Sequence, residues 1–401
     1  MTIYFPFGES LSVVLSLLHI DYKINIATTS LIRQKILRTQ PFFSLLIVGL
    51  FVFSLTVPNY VYSQAFRVVN FGDDVLAVGA GARALGMGSA FSAVSNDVTA
   101  AYWNPASLVR LSKSREVAYM HSERFGGAVA YDYAAYAQIL THLKKPTAVA
   151  ISLFRQGVDG IKNTTNAWDV ARNLPRPNPE QYFTSFSASD MAMLLTFAQQ
   201  QNERLSIGGN VKVLYSRLGP FANGLGYSID LSAFYSSPFA DLAIQVQNVT
   251  GLLKFWQINA DEFGAFTDSG DEIPTGENEW VRPSIRFGAA KQFLQRSATW
   301  DLLMSFDTQL RFENRQTFYL NVGPMSIEPN LGFELGYQSL LFARFGLTDL
   351  TTNWTAAVAV SPTIGAGIRL GKIQVDYAFA SFAGPTVDLG YTHRISVIAG
   401  W

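Results

Sequence analysis

Several residue groups in this chain could do chemistry, and each is weighed by what surrounds it. Gly79-Ala80-Gly81-Ala82-Arg83-Ala84 fits a loose dinucleotide-binding fingerprint. That chemistry needs a preceding strand, a following helix and an acidic side chain about twenty positions on. No βαβ series follows and Asp97 comes too early, so tight backbone packing explains these glycines better. His121, His142 and His393 fall in separate segments without metal-ligand spacing, so no metal and no cofactor is expected. Ser, His and Asp are present, yet no strand-turn-helix nucleophile elbow accompanies them, and no catalytic residue is assigned. The chain reads as a non-enzyme. Asp268, Asp271 and Glu272 could attract Ca²⁺, although short acidic runs are usually just solvated. The stretch Thr250 to Pro283 also carries Leu252, Leu253, Phe255, Trp256, Phe263 and Phe266. It reads as an outer loop, either folded on itself or offering a docking surface.

Composition narrows the fold that must position these groups. Tyr, Phe and Gly number 17, 30 and 31 while only 15% of residues are charged, a mix suited to aromatic strands and tight turns. Without cysteine there is no disulfide, thiolate metal site or cysteine nucleophile. Thirty basic and thirty acidic side chains balance, leaving no electrostatic basis for nucleic-acid binding.

The N-terminal part reads as an export signal. Arg33, Lys35 and Arg38 precede an apolar run from Phe42 to Leu55, and Val61-Tyr62-Ser63 supplies a cleavage site. Residues 1–63 are therefore expected to be a signal peptide, with an over-extended start upstream of its basic region. The apolar run is shorter than the ~20 residues of a spanning helix, so any membrane crossing must use strands.

From 116 to 401 alternation of period two recurs. Ile373, Val375, Tyr377 and Phe379 oppose Gln374, Asp376, Ala378 and Ala380; Tyr391, Ile395, Val397, Ala399 and Trp401 oppose Thr392, Arg394 and Ser396. Such faces suit lipid outside and water inside. A soluble sandwich shows similar alternation, but its strands average ~5–6 residues, whereas many here run longer. The expectation is all-β: an antiparallel transmembrane barrel of about 14 strands. Short connections near Thr141, Gln199, Ser236, Leu294, Ser339 and Lys372 alternate with the other side, where the long ones lie near 156–185, 250–283, 311–326 and 349–361. A barrel of this size needs something in its lumen. Residues 64–115, rich in Gly and Ala and without long alternation, are the expected N-terminal plug. Asp230, Asp301, Asp307, Asp376 and Arg394 are expected to line the lumen.

The most specific segment runs from Val78 to Leu111, VGAGARALGMGSAFSAVSNDVTAAYWNPASLVRL. It resembles the start of the PorV/PorQ group within the FadL-like outer-membrane superfamily. The resembling positions are Gly81, Arg83, Gly86 and Gly88 of a GARALGMG element, the turn Asn96-Asp97, and Trp103-Asn104-Pro105-Ala106. Ser89 and Ser107 stand where that group usually has Gly. Val375 to Phe379 and Leu389 to Ser396 are similar to its last two strands. The resemblance implies a cell outer-membrane barrel with an internal N-terminal hatch, and Trp401 as a C-terminal insertion signal. It also implies two competing tasks. One is a non-enzymatic accessory or attachment component of type IX protein secretion, with secretion-machinery or cargo proteins as partners. The alternative is passive transport of a hydrophobic small molecule. Outer-membrane lipid is a partner under either.

Overall fold

The computed structural model describes residues 66–69, 74–169, 171–263, 276, 278–293, 299–313, 320–352, 358–381 and 391–401. The expected signal peptide, Phe266, the acidic run from Asp268 to Glu272 and Leu389-Gly390 lie outside them. In chain order the elements are β1 (Phe66–Val69), α1 (Asp74–Ala77), α2 (Ala82–Gly86), α3 (Ala100–Trp103), β2 (Arg115–Arg124), β3 (Val129–Leu140) and β4 (Thr147–Asn163). A small hairpin, β5 (Trp168–Asp169) and β6 (Leu174–Pro175), precedes β7 (Thr184–Gln200), β8 (Leu205–Leu218), β9 (Ala222–Ser236), β10 (Asp241–Gln247) and β11 (Leu252–Ile258). Then come β12 (Asn278–Val281), β13 (Ser284–Gln292), β14 (Trp300–Arg311), β15 (Leu320–Val322) and β16 (Met325–Tyr337). The last are β17 (Leu341–Thr352), β18 (Val358–Leu370), β19 (Ile373–Ser381) and β20 (Tyr391–Gly400).

Neighbouring strands of the wall pair antiparallel, whereas β1 adds to β12 in parallel, Phe66↔Asn278 to Val69↔Val281, so this part of the expected plug joins the sheet instead. The ladder from Glu116↔Gly400 to Glu123↔His393 joins β2 to β20 and closes it into a 14-strand barrel, so no long edge is left unpaired. Closure sorts the side chains. On β20, Ile395 and Val397 are exposed on the outer face while Thr392, Arg394, Ser396 and Ile398 are buried on the inner one. The same division puts Leu225 and Leu231 of β9, Phe306 of β14, Phe345 of β17 and Ile364 of β18 outside. A closed sheet with an apolar outer face is the strand solution to crossing a bilayer. Among the described residues no helix is long and apolar enough to cross one. Short turns such as 201–204, 237–240 and 371–372 share one end with the C-terminal Trp401, which by the usual asymmetry is the periplasmic end. The outer connections are not uniformly long, for Phe125–Ala128 and Gly219–Phe221 are tight.

Two wall positions depart from the sequence reading. The supposed loop Thr250 to Pro283 contains β11 and β12, which extend β10 and β13 outward. Gln247 pairs Ser284 below the interruption and Leu252 pairs Val281 above it, so the 248–251 stretch bulges against Arg282-Pro283. Asn248 and Gly251 adopt φ of 54° and 72°, and Pro283 lacks the N–H a ladder needs. Turn-forming residues inside a strand thus imitate a loop. Leu252, Leu253, Phe255 and Trp256 belong to the wall, where Leu252 is buried and Trp256 donates to Glu279 at 3.0 Å, and Phe263, in a 3-10 turn beyond β11, packs on Phe221. Likewise β4 and β7 run on to Asn163 and from Thr184, past the register shift between Val158 and Ile161. There both faces meet water, and alternation no longer marks a strand.

Candidate functional site

The described part of the 64–115 stretch folds as short pieces. Gly79 and Gly81, at φ 78° and 85°, bend the chain into α2, and Gly88 and Ser89 at φ 61° and 62° turn it out again. After α3, Asn104 caps a 3-10 helix, Pro105–Arg110, by accepting the Ala106 N–H at 3.2 Å, with Pro105 in its favoured first position. Pieces this short have no stability alone. Their Ala80, Ala82, Met87, Ala90, Val98, Ala101 and Leu108 are wholly buried, so enclosure by the wall holds them.

Bonds reach the inner wall in every direction. The Ala82 N–H donates to Ser396 on β20 at 3.1 Å and the Gly88 N–H to Thr363 on β18 at 3.0 Å. Phe91 and Ser92 N–H groups converge on Asp307 of β14 at 3.2 and 2.9 Å. Ala106 is gripped twice, its N–H donating to Ser232 of β9 at 2.9 Å and its carbonyl accepting from Ser206 of β8 at 2.8 Å. Asn210 and Gln245 donate to the carbonyls of Ala101 and Tyr102 at 2.9 and 3.1 Å. Buried backbone groups outside regular structure need such partners.

Wall glycines let this backbone approach. A Cβ at Gly208 would lie 2.6 Å from the Ala106 nitrogen, and one at Gly332 would lie 2.5 Å from the Met87 oxygen. At Gly346 it would overlap the Gly88 nitrogen, and at Gly288 the Ser92 hydroxyl. These four positions carried no signal in the sequence, where isolated strand glycines could equally mark bulges.

Charge completes the seat. Arg83 of α2 forks onto Glu334 of β16 at 2.8 and 2.7 Å. Arg344 of β17 donates to the same carboxylate at 2.6 Å and to Asp376 of β19 at 2.8 Å. Burial pulls the Arg83 guanidinium down, but Glu334 outweighs it and holds the group above its ordinary value. Arg110 ends below its ordinary value because burial dominates over Asp241, 3.1 Å away. A second buried pair, Lys212–Asp230 at 2.9 Å, lies beneath a cavity of about 20 Å³ that Arg282 and Glu313 also line, room for one water.

The positions singled out in the sequence come together here. Arg83 also donates to Asn96 at 2.9 Å and lies 3.7 Å from Asp97, which accepts the Thr99 N–H at 2.8 Å. The Gly81 N–H points at the Met120 sulfur at 3.0 Å, and Gly86 packs against Gly365. Trp103 donates to the Ala80 carbonyl at 2.7 Å and stacks edge-on with Tyr102. Of the expected lumen carboxylates, Asp230, Asp307 and Asp376 are buried, whereas Asp301 stays at the rim with Gln292. Trp401 lies apart at the periplasmic end, 46% exposed and paired through its backbone with Arg115. Among the described residues no three His, Cys, Asp or Glu side chains gather as a metal site.

No family model and no curated protein matches the chain. Among solved structures, the monoaromatic hydrocarbon channel CymD superposes with a TM-score of 0.50 at 11% identity, covering 81% of this chain and 98% of CymD. The fold is shared with CymD. The P. putida toluene transporter TodX superposes at 0.48 with 12% identity over 80% of this chain and 99% of its own. A Pseudomonas aeruginosa FadL homologue gives 0.45 with 12% identity, over 80% and 98%. The CymD likeness is one of architecture, an outer-membrane-type barrel.

Proposed function

We propose that this chain is an outer-membrane channel that passes hydrophobic small molecules without catalysis and rests closed, residues 74–111 acting as its hatch. The observation that carries the reading is the fold shared with a hydrocarbon channel, together with a lumen blocked by a segment seated through separable bonds. An apolar groove of about 460 Å³ on the lipid face supports it. There Tyr235, Leu242, Ile244, Phe287 and Phe306 surround the small Ala233 and Ala289, outside the place where Ser92 meets Gly288. Such a surface suits an apolar aromatic and not an ion. The test is uptake of radiolabelled toluene by cells that carry the protein in a host without hydrocarbon channels. Uptake above the empty-vector level is expected, and uptake equal to it defeats the reading.

A second reading, an accessory of type IX secretion, draws on the PorV/PorQ-like motif and on one physical observation. The luminal segment is tied to the wall by buried ion pairs, which does not favour an apolar tunnel. Under that reading, gene loss lowers surface display of secreted cargo and leaves toluene uptake unchanged.

A further inference from the structure

Five cations are buried among the described residues: Arg83, Lys212, Arg286, Arg344 and Arg394. Four face a carboxylate. Arg83 and Arg344 share Glu334, Lys212 has Asp230, and Arg286 lies in the field of Asp307. Arg394 of β20 is 2% exposed and makes no ion pair among the described residues; the guanidinium of Arg124 and the neutral phenols of Tyr131 and Tyr102 lie near it. Its two terminal nitrogens donate to the carbonyls of Val78 at 2.9 Å and Gly81 at 3.4 Å, while its Nε–H has no partner. Carbonyl oxygens satisfy donors but carry no net charge, so the guanidinium stays uncompensated, and an uncompensated buried charge is strongly unfavourable.

Around it the sheet register assembles further polar side chains, two of which keep an atom without a partner. Ser122 of β2 stands directly opposite Arg394, Tyr131 of β3 opposite Ser122, and Gln156 of β4 opposite Tyr131. The Ser122 hydroxyl is completely buried and has no partner, and neither has the Gln156 side-chain oxygen. Arg124, two residues along β2 from Ser122, adds a second guanidinium beside the row. A water could satisfy the hydroxyl and the Nε–H, but it would leave the charge where it is.

We infer that Arg394 and Ser122, on neighbouring strands near the outer end of the lumen, hold a small inorganic anion of the halide class. Arg394 Nε–H and the Ser122 hydroxyl are its donors. Because Arg394 also holds the carbonyls at the bend of Val78 to Gly81, the anion and the first turn of the luminal segment share one side chain. This inference is independent of the transported molecule.

The experiment uses the full-length protein purified in detergent, with chloride or bromide exchanged for gluconate at constant ionic strength. A saturable rise in unfolding temperature with chloride is expected for the native chain. It should be lost in Arg394→Gln and weakened in Ser122→Ala, which removes one hydroxyl and should not impair folding. A bromide soak should give an anomalous peak within hydrogen-bond distance of Arg394 Nε. The inference is overturned if the native chain shows no saturable response, if Arg394→Gln keeps the same response, or if bromide sites occur elsewhere, an adventitious ion only.

Discussion

Arg83 shows how a single side chain ties the sequence motif to the inner wall. Its fork onto Glu334 is a buried bidentate, charge-assisted pair, and Glu334 shares its two cations between Arg83 and Arg344. Removing the arginine leaves a buried carboxylate served by Arg344 alone, and breaking such a pair costs about 3–5 kcal/mol. Arg83→Ala is therefore expected to loosen the hatch and raise antibiotic leakage through the outer membrane. Arg83→Ala combined with Glu334→Gln should leak less than Arg83→Ala alone, since the under-compensated charge on Glu334 is removed. Equal leakage from both would show that Arg83 acts only by filling space. The motif singles out Arg83, Trp103 and Asn104, but their partners are not legible in it. Glu334 and Ser232 sit in the polar phase of ordinary strands, where nothing distinguishes a residue that faces the hatch from one that faces water.

At the scale of elements, the hatch and the wall fit through missing side chains. Gly346 of β17 receives the turn at Met87-Gly88, and a methyl there would collide with backbone rather than with a flexible side chain. Overpacking of this kind costs about 1–3 kcal/mol. Gly346→Ala should yield a folded barrel with a displaced hatch, read as higher single-channel conductance in planar bilayers. Gly371→Ala is the control for an exposed turn, since a Cβ there meets nothing, although its φ of 61° carries its own small cost. Deletion of 74–111 is the stronger form of the test. A folded barrel of unchanged low conductance after that deletion would refute the hatch. Strand positions were largely readable because lipid on one side and a polar lumen on the other enforce alternation. Reading failed at β11 and β12, where Asn248, Gly251 and Pro283 break the ladder without ending the wall, and at the outer ends of β4 and β7, where lipid no longer selects one face.

For the whole molecule, the closing ladder between β2 and β20 is the last requirement of the barrel, and Trp401 stands just beyond it. Deleting Trp401 should lower the amount of heat-modifiable barrel in the outer membrane, and undiminished amounts would remove its role as an insertion signal. The hatch adds a constraint on time. Its anchors are remote in sequence: Ala82 bonds Ser396 across 314 positions and Arg83 bonds Glu334 across 251. The segment made first must wait for strands made last, and contacts of such separation are slow to form because loop-closure entropy precedes any gain. Its buried surface is rich in alanine and aromatic side chains that would be exposed meanwhile, so the chain carries an interval of vulnerability between export and sealing. A barrel whose lumen holds an early segment of its own chain thus depends on being kept unfolded until its last strands arrive.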